Sequence, residues 1–284
     1  MQPELVSDSA CHTGEGPIWH PDEKCVYWVD IPQCRLLRYD PVADTTAEFD
    51  TGTPVGAFTI HEDGRLLLFM AEGAVRLWGE GRIETVIGSL PEEHGNRFND
   101  VIADPEGRVF CGVMSTRARA GRLYRLDPDL SVHVMIEGTG TANGMGFAPD
   151  LRQMYFCDSR KREICVFDYD RETGALSNRR LLHAPPESEG KPDGMTVDAE
   201  GCIWSARWDG WQVVRLDSAG NVLVNVPFPT RNVSCVTFGG EDYGDVYATT
   251  AIAGDPENTG EGSGALFRFR PGVQGKPEFR SRTR

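Results

Sequence analysis

The 284-residue sequence predicts an all-β protein: a six-bladed β-propeller with four-stranded antiparallel blades around a central channel. Short alternating apolar stretches dominate, and no long segment has a clear helical period. A strand–acidic turn–strand unit recurs about every 40 to 50 residues, which is the repeat length of propeller blades. About six such units fit the chain. Because one blade cannot bury both of its faces alone, neighbouring blades must pack around an axis.

Each unit is expected to contain a first strand, an acidic turn, a second strand, a loop, a third strand and a less distinct fourth strand. The expected second and third strands are, in chain order, 26–29 and 36–39, 65–69 and 74–78, 109–113 and 122–126, 154–157 and 164–168, 202–206 and 212–216, and 245–249 and 265–269. Residues 4–6 are expected to supply the last strand of the closing blade. We therefore expect a single propeller domain over residues 1–284.

Composition narrows the class of protein. The formal net charge is -14, which argues against nucleic acid or an anionic membrane as the main partner. No apolar run reaches the length of a membrane span, and the N-terminus has neither a basic region nor an apolar signal core. The eight cysteines lack a Cys-x-x-Cys pair and are interpreted as small apolar residues in strands. We expect a cytoplasmic protein that is a monomer or a small homo-oligomer.

A polar side chain recurs seven positions before the acidic turn residue of four units. The four turn residues are Asp22, Glu106, Asp150 and Glu200, and the four polar residues are Glu15, Asn99, Asn143 and Asp193. In a propeller the first strand of each blade lines the channel, so residues at one phase form a ring at one mouth. Across six units this ring comprises Glu15, Gly56, Asn99, Asn143, Asp193 and Ser234.

Two carboxylates in so small a ring repel each other unless a cation or a proton lies between them. Oxygen ligands without Cys or His suit one hard divalent ion such as calcium, magnesium or manganese, with zinc as a further alternative. These residues can also be interpreted as turn formers, because Asn-Gly and Asp-Gly are common turn dipeptides. Turn chemistry alone does not require a carboxylate at Glu15 and Asp193. Asn99 can contact either metal or substrate.

The direction of the chain through each blade indicates further candidate site residues. If the first strands start at this mouth, the loops between second and third strands return to it, and the connections between blades end there. This arrangement brings Arg97 beside Asn99 and places Asp158 and Trp208 on mouth loops. A surface charge at Arg97 and simple packing at Trp208 are the alternative interpretations. The corresponding loop of the sixth unit, residues 253–264, is long and glycine-rich.

Four short motifs contain or adjoin the ring residues: Gly14-Glu15-Gly16-Pro17-Ile18-Trp19, Arg97-Phe98-Asn99-Asp100, Asn143-Gly144 and Pro192-Asp193-Gly194-Met195. Together they resemble the signatures of the SMP-30/gluconolactonase/regucalcin family. The resemblance runs from about residue 12 to the C-terminus. It implies a six-bladed propeller with one catalytic divalent metal held by Glu15, Asn143 and Asp193. It also implies that Asn99 and Arg97 contact the substrate, and that the activity is hydrolysis of sugar lactones to aldonic acids.

One loop departs from the family pattern. Animal members carry a substrate-contacting glutamate in the loop corresponding to residues 115–120, where this chain has Arg117-Ala118-Arg119-Ala120. The sugar preference of those members is therefore not transferred.

The functional hypothesis is hydrolysis of an aldonolactone, such as a glucono-, xylono-, arabino- or galactonolactone. The metal would polarise the carbonyl, and Asp193 would be the catalytic base that activates water. Asp158 and Trp208 join Arg97 and Asn99 as candidate substrate contacts. Two alternatives stay open at this point: a non-catalytic calcium-binding propeller of the regucalcin kind, and a related metal-dependent organophosphate hydrolase. The sequence contains no Gly-x-Ser-x-Gly motif, which disfavours a serine hydrolase.

Overall fold

The computed structural model describes residues 1–254 and 259–283, and its strands form six four-stranded antiparallel sheets. The strands in the first half of the chain are β1 Glu4–Ser7, β2 Gly14–His20, β3 Cys25–Asp30, β4 Arg35–Asp40, β5 Thr45–Asp50, β6 Val55–Ile60, β7 Leu66–Met70, β8 Val75–Gly79, β9 Arg82–Ile87, β10 Phe98–Ala103, β11 Val109–Val113 and β12 Gly121–Leu126. Those in the second half are β13 Val132–Thr139, β14 Ala142–Phe147, β15 Gln153–Asp158, β16 Glu163–Asp170, β17 Ala175–His183, β18 Lys191–Val197, β19 Ile203–Trp208, β20 Gln212–Leu216, β21 Val222–Pro227, β22 Asn232–Gly239, β23 Asp245–Ala251 and β24 Leu266–Phe269. Short 3₁₀ turns cover Pro91–Glu93 and Glu187–Glu189.

Five blades are built from four consecutive strands, starting at β2, β6, β10, β14 and β18. The sixth sheet has the order β1-β24-β23-β22, so its outermost strand comes from the N-terminal end of the chain. Leu5 of β1 lies opposite Phe267 of β24. The predicted six-bladed propeller is confirmed.

The first strand of each blade is the innermost. All six residues of β6 and of β14 are buried, whereas the fourth strands β5 and β9 are mostly exposed. Each first strand contacts the first strands of both neighbouring blades, which closes the ring around the channel. Apolar clusters fill the spaces between adjacent blades. Between the first two blades, for example, Tyr27 packs edge-on against Trp78 at 6.0 Å between ring centroids. This burial between blades is the main source of stability.

The antiparallel register slips near the start of every first strand, at or next to the ring position. Such bulges turn a side chain away from strict alternation and are frequent beside functional sites. They also bring neighbouring strands close together. A side chain at Gly56 would collide with the carbonyl group of Phe98, so glycine is required there by packing.

The far end of the channel is covered by residues 271–283, here called the C-terminal strap. Gly275 N donates to Tyr243 O of the sixth blade at 2.8 Å, and Arg282 N donates to Gly107 O of the third at 2.9 Å. Between them Ser281 forms a parallel bridge with His61. The strap therefore crosses the channel at the end opposite the ring. Within the described residues, no helix is both long enough and apolar enough to cross a membrane.

Candidate active site

The four polar ring residues are buried at the starts of four first strands. Their exposed fractions are 8% for Glu15, 7% for Asn99, and 4% for Asn143 and for Asp193. Asn143 Nδ2 donates to Asp193 Oδ1, which joins two neighbouring blades at the mouth. The ring position in the sixth blade is different, because the Ser234 hydroxyl donates to the backbone oxygen of Gly14 at 2.5 Å.

Asn143 has an unused acceptor. Its amide nitrogen donates both to Asp193 and to Ser159 Oγ, the latter at 2.9 Å. Its amide oxygen is buried and has no hydrogen-bond partner among the residues that the structure describes. Leaving such a group unpaired costs about 1–3 kcal/mol. A bound cation would satisfy this oxygen, so the residues present fit a metal centre.

The carboxylates of Glu15 and Asp193 point to the same conclusion. Burial raises the pKa of Glu15 well above its usual range, the charge of Asp193 raises it further, and the Arg97 guanidinium partly opposes the shift. Burial also raises the pKa of Asp193, with a further contribution from the charge of Asp100. The pair therefore binds a proton more readily than ordinary carboxylates do, and a cation would replace that proton.

The donor set contains only oxygen atoms. Within the described residues no group of three or more His, Cys, Asp or Glu side chains is placed to hold a metal, so this centre would combine two carboxylates with the Asn143 amide oxygen. Carboxylate and amide oxygens suit calcium, magnesium and manganese.

Asn99 occupies the same ring phase as Asn143, but both ends of its amide are bound. Arg97 donates to Asn99 Oδ1 at 2.7 Å and to Phe98 O at 2.8 Å, and Asn99 Nδ2 donates to Ala142 O at 2.9 Å. Burial lowers the pKa of Arg97, while the charges of Glu15 and Asp193 oppose that shift, and an arginine keeps its proton in proteins. The oxygen of Asn99 is thus already used as an acceptor by Arg97, and a contact of Asn99 with metal or with substrate stays a prediction.

Asp158 holds a loop at the mouth. Its carboxylate accepts hydrogen bonds from Gly140 N at 2.9 Å and Thr141 N at 3.0 Å, and it pairs with Lys161 at 3.3 Å. Asp30 accepts two backbone amides in the same way at the equivalent position of the first blade. Asp158 thus fixes the chain that leads into Asn143, and its contact with substrate stays a prediction.

Trp208 lies half-buried at the end of β19, opposite Lys191 in the pairing of β18 with β19. The neighbouring Asp209 pairs with Lys191 at 3.3 Å and with Arg231 at 2.9 Å. Trp208 therefore lies at the mouth, as the chain direction predicts, and its role as a substrate contact stays a prediction. The glycine-rich 253–264 loop falls partly outside the described residues.

Sequence reasoning missed three polar residues that contact the ring or line the channel. Ser159 accepts the Asn143 hydrogen bond, and Asp100 and Glu278 both line a cavity of about 60 Å³ in the channel below the ring. Burial raises the pKa of Asp100 to about 7, and the charge of Glu278 contributes. Because Asp100 directly follows Asn99, a regular strand would point the two side chains to opposite faces. Placing both on the channel would have required predicting the bulge in β10. Nothing in the repeat locates Glu278, which belongs to the strap.

Fold and site together define a six-bladed propeller with an oxygen-lined polar centre at one mouth of its channel. The chain matches the SMP-30/Gluconolactonase/LRE-like region over residues 13–252 and belongs to that family. It is 47% identical to the pentonolactonase XacC of Haloferax volcanii, over 98% of each chain. It is 32% identical to regucalcin of Bos taurus, over 97% of each chain. The structure of a luciferin-regenerating enzyme superposes with a TM-score of 0.91, at 27% identity over 99% of each chain.

Proposed function

We propose that this protein hydrolyses a sugar lactone to the corresponding aldonic acid with the help of one divalent metal ion held by Glu15, Asn143 and Asp193. The observation that carries the proposal is the buried amide oxygen of Asn143, which finds no partner within residues 1–254 and 259–283, beside the buried carboxylate of Asp193. The likeness to a pentonolactonase over nearly the full length of both chains supports a lactone as the substrate.

The ion, when bound, would polarise the lactone carbonyl and acidify water near it. Asp193 is the general base. Its Oδ1 is bound by Asn143 Nδ2, which holds the carboxylate in one orientation. Asp193 would take a proton from the attacking water as the water oxygen bonds to the carbonyl carbon. The ring carbon–oxygen bond then breaks, and the same proton passes to the leaving oxygen, which becomes a hydroxyl of the product acid.

Arg97 and Asn99 would orient the sugar ring. Arg97 uses one nitrogen on Phe98 O and Asn99 Oδ1, which leaves other N–H donors of its fork for substrate oxygens. One amide hydrogen of Asn99 is used on Ala142 O, and the second is available to a ring hydroxyl. Because both side chains are already held by protein contacts, they would lose little freedom when substrate binds.

The test is acid release from a panel of pentono- and hexonolactones, measured with a pH indicator and corrected for spontaneous opening. The protein is first stripped with a chelator, and calcium, magnesium, manganese and zinc are then added back one at a time. We expect turnover that disappears on chelation and returns with at least one ion.

Full turnover after chelation would contradict the metal requirement. Metal-dependent thermal stabilisation without turnover of any lactone would instead support a non-catalytic calcium-binding propeller. Faster turnover of phosphotriesters than of lactones would support an organophosphate hydrolase.

A further inference from the structure

A second cavity opens at the mouth between the third and fourth blades, with a volume of about 390 Å³. Two contacts connect its wall to the candidate active site. Arg160 directly follows Ser159, whose hydroxyl accepts a hydrogen bond from Asn143. Ser115 directly follows Met114, whose backbone N donates to Arg97 O at 3.3 Å. The cavity therefore adjoins the part of the ring that contains the proposed substrate contacts.

One wall of this cavity is the 115–120 loop, which its own hydrogen bonds hold in a tight turn. Thr116 Oγ1 accepts the backbone N–H groups of Ala118 at 3.2 Å and Arg119 at 3.1 Å. Arg119 is anchored in turn on the fully buried carboxylate of Glu93 at 2.5 Å. These contacts thereby fix the backbone of the turn, which carries Arg117 at its tip.

The cavity wall carries four cationic side chains in a protein of net charge -14. Two of them are neutralised, because Arg119 pairs with Glu93 and Lys161 pairs with Asp158. The other two, Arg117 and Arg160, have no carboxylate partner within the described residues. Arg160 donates to Ser115 Oγ at 2.8 Å. Two guanidinium groups without counter-charges thus face one cavity next to the active site.

We propose that this cavity is an anion subsite, and that the preferred substrate is a lactone with a second anionic group, a carboxylate or a phosphate, remote from its ester bond. This proposal rests on the lactonase function proposed above. Guanidinium groups match the planar oxygen pairs of both anions and bind them with charge-assisted hydrogen bonds. Arg117 and Arg160 would hold the anionic end while Arg97 and Asn99 hold the ring.

The experiment compares kcat/KM for neutral gluconolactone and xylonolactone with the values for glucarolactone, which carries a carboxylate, and for phosphorylated gluconolactone. Each rate is corrected for spontaneous opening. The wild-type protein is expected to prefer at least one anionic lactone, and which of the two it prefers identifies the anion. In the Arg117→Ala/Arg160→Ala double variant, the ratio of anionic to neutral kcat/KM should fall about tenfold. High salt should reduce the same ratio in the wild type.

The matched control is Arg82→Ala. Arg82 is an exposed arginine on β9, outside the cavity wall, and its loss should leave the ratio unchanged. Equal kcat/KM for neutral and anionic lactones, or a double variant with the wild-type ratio, would overturn the subsite while leaving the lactonase intact. Absence of turnover for every lactone would overturn the lactonase function itself.

Discussion

Each end of the central channel holds two carboxyl groups, yet the two ends are built differently. At the mouth, Glu15 and Asp193 lie in the same ring as the amide oxygen of Asn143, which has no hydrogen-bond partner in the described part of the chain. Toward the strap, Asp100 and Glu278 line a cavity of about 60 Å³. Burial raises the pKa of all four acids. Burial of two carboxyl groups is therefore not enough by itself to identify a metal centre.

The two pairs of carboxyl groups differ in the groups that surround them. At the strap end Lys276 lies close enough to Glu278 for its charge to oppose the upward pKa shift of that acid, and its Nζ donates to Phe147 O at 3.1 Å. Three threonines, Thr59, Thr196 and Thr237, also line this cavity. At the strap end the charge of a lysine therefore opposes the charge of a buried acid. At the mouth, the proposed function assigns that role to a divalent cation.

The largest expected effect comes from Asp193→Ala. Loss of a general base that is also a metal ligand should lower kcat/KM for the best lactone by about a thousandfold or more. The chelated variant should be at least as stable as the chelated wild type, because a buried, repelled carboxylate has been removed. Initial rates and thermal melts measure the two effects.

The control for that variant is Asp8→Ala, at an exposed aspartate outside the site. If Asp193→Ala kept more than about a tenth of the wild-type kcat/KM, a role in general base catalysis would be excluded.

The next largest effect is expected on metal affinity, and it distinguishes Asn143 from Asn99. Asn143→Ala should weaken binding of the activating metal by about 10- to 100-fold, since an oxygen ligand is lost. Asn99→Ala should leave metal affinity within about twofold and lower kcat/KM for the lactone, because its amide contacts Arg97 and backbone. Calorimetric titration with the metal, together with steady-state kinetics, distinguishes these outcomes. Equal loss of metal affinity in both variants would contradict the assignment.

The unit that recurs about every 40 to 50 residues was sufficient to predict the propeller, and the seven-residue spacing placed Glu15, Asn143 and Asp193 at one position of the ring. It could not distinguish Asn99 from Asn143, because both occupy the same phase of a first strand. Their difference arises from contacts outside that repeat. Arg97 donates to the oxygen of Asn99, whereas no described residue donates to that of Asn143. The sequence did not predict the position of Asp100 for another reason. Strict alternation along a strand would place Asp100 on the opposite face from Asn99. Only the bulge in β10 allows both side chains to border the channel.

The next effect is on stability rather than on activity. It is expected at Asp100, toward the strap end of the channel. Its pKa of about 7 lies above that of an unfolded aspartate, about 3.9, so the folded protein binds this proton more tightly. The stability that this proton contributes is fully present below about pH 4 and is lost as the pH rises through 7. In chelated protein, Asp100→Asn should therefore be more stable than wild type at pH 8 by about 4 kcal/mol, and nearly equal at pH 4.

Urea unfolding at the two pH values measures this difference, with Asp8→Asn as the control. A difference between variant and wild type that is the same at both pH values would show that the Asp100 carboxyl does not titrate in this range.

The smallest effect is expected in the strap itself. Ser281 is fully buried, and its hydroxyl contacts Thr59 Oγ1 at 2.8 Å and Ile60 O at 3.3 Å. Ser281→Ala should lower the free energy of unfolding by about 1 kcal/mol, since the Thr59 hydroxyl loses its partner. Lactone kcat/KM and metal affinity should stay at wild-type values, because the strap closes the channel at the end opposite the ring. A change in metal affinity in this variant would show that the two ends of the channel are coupled and that the strap helps to set the geometry of the mouth.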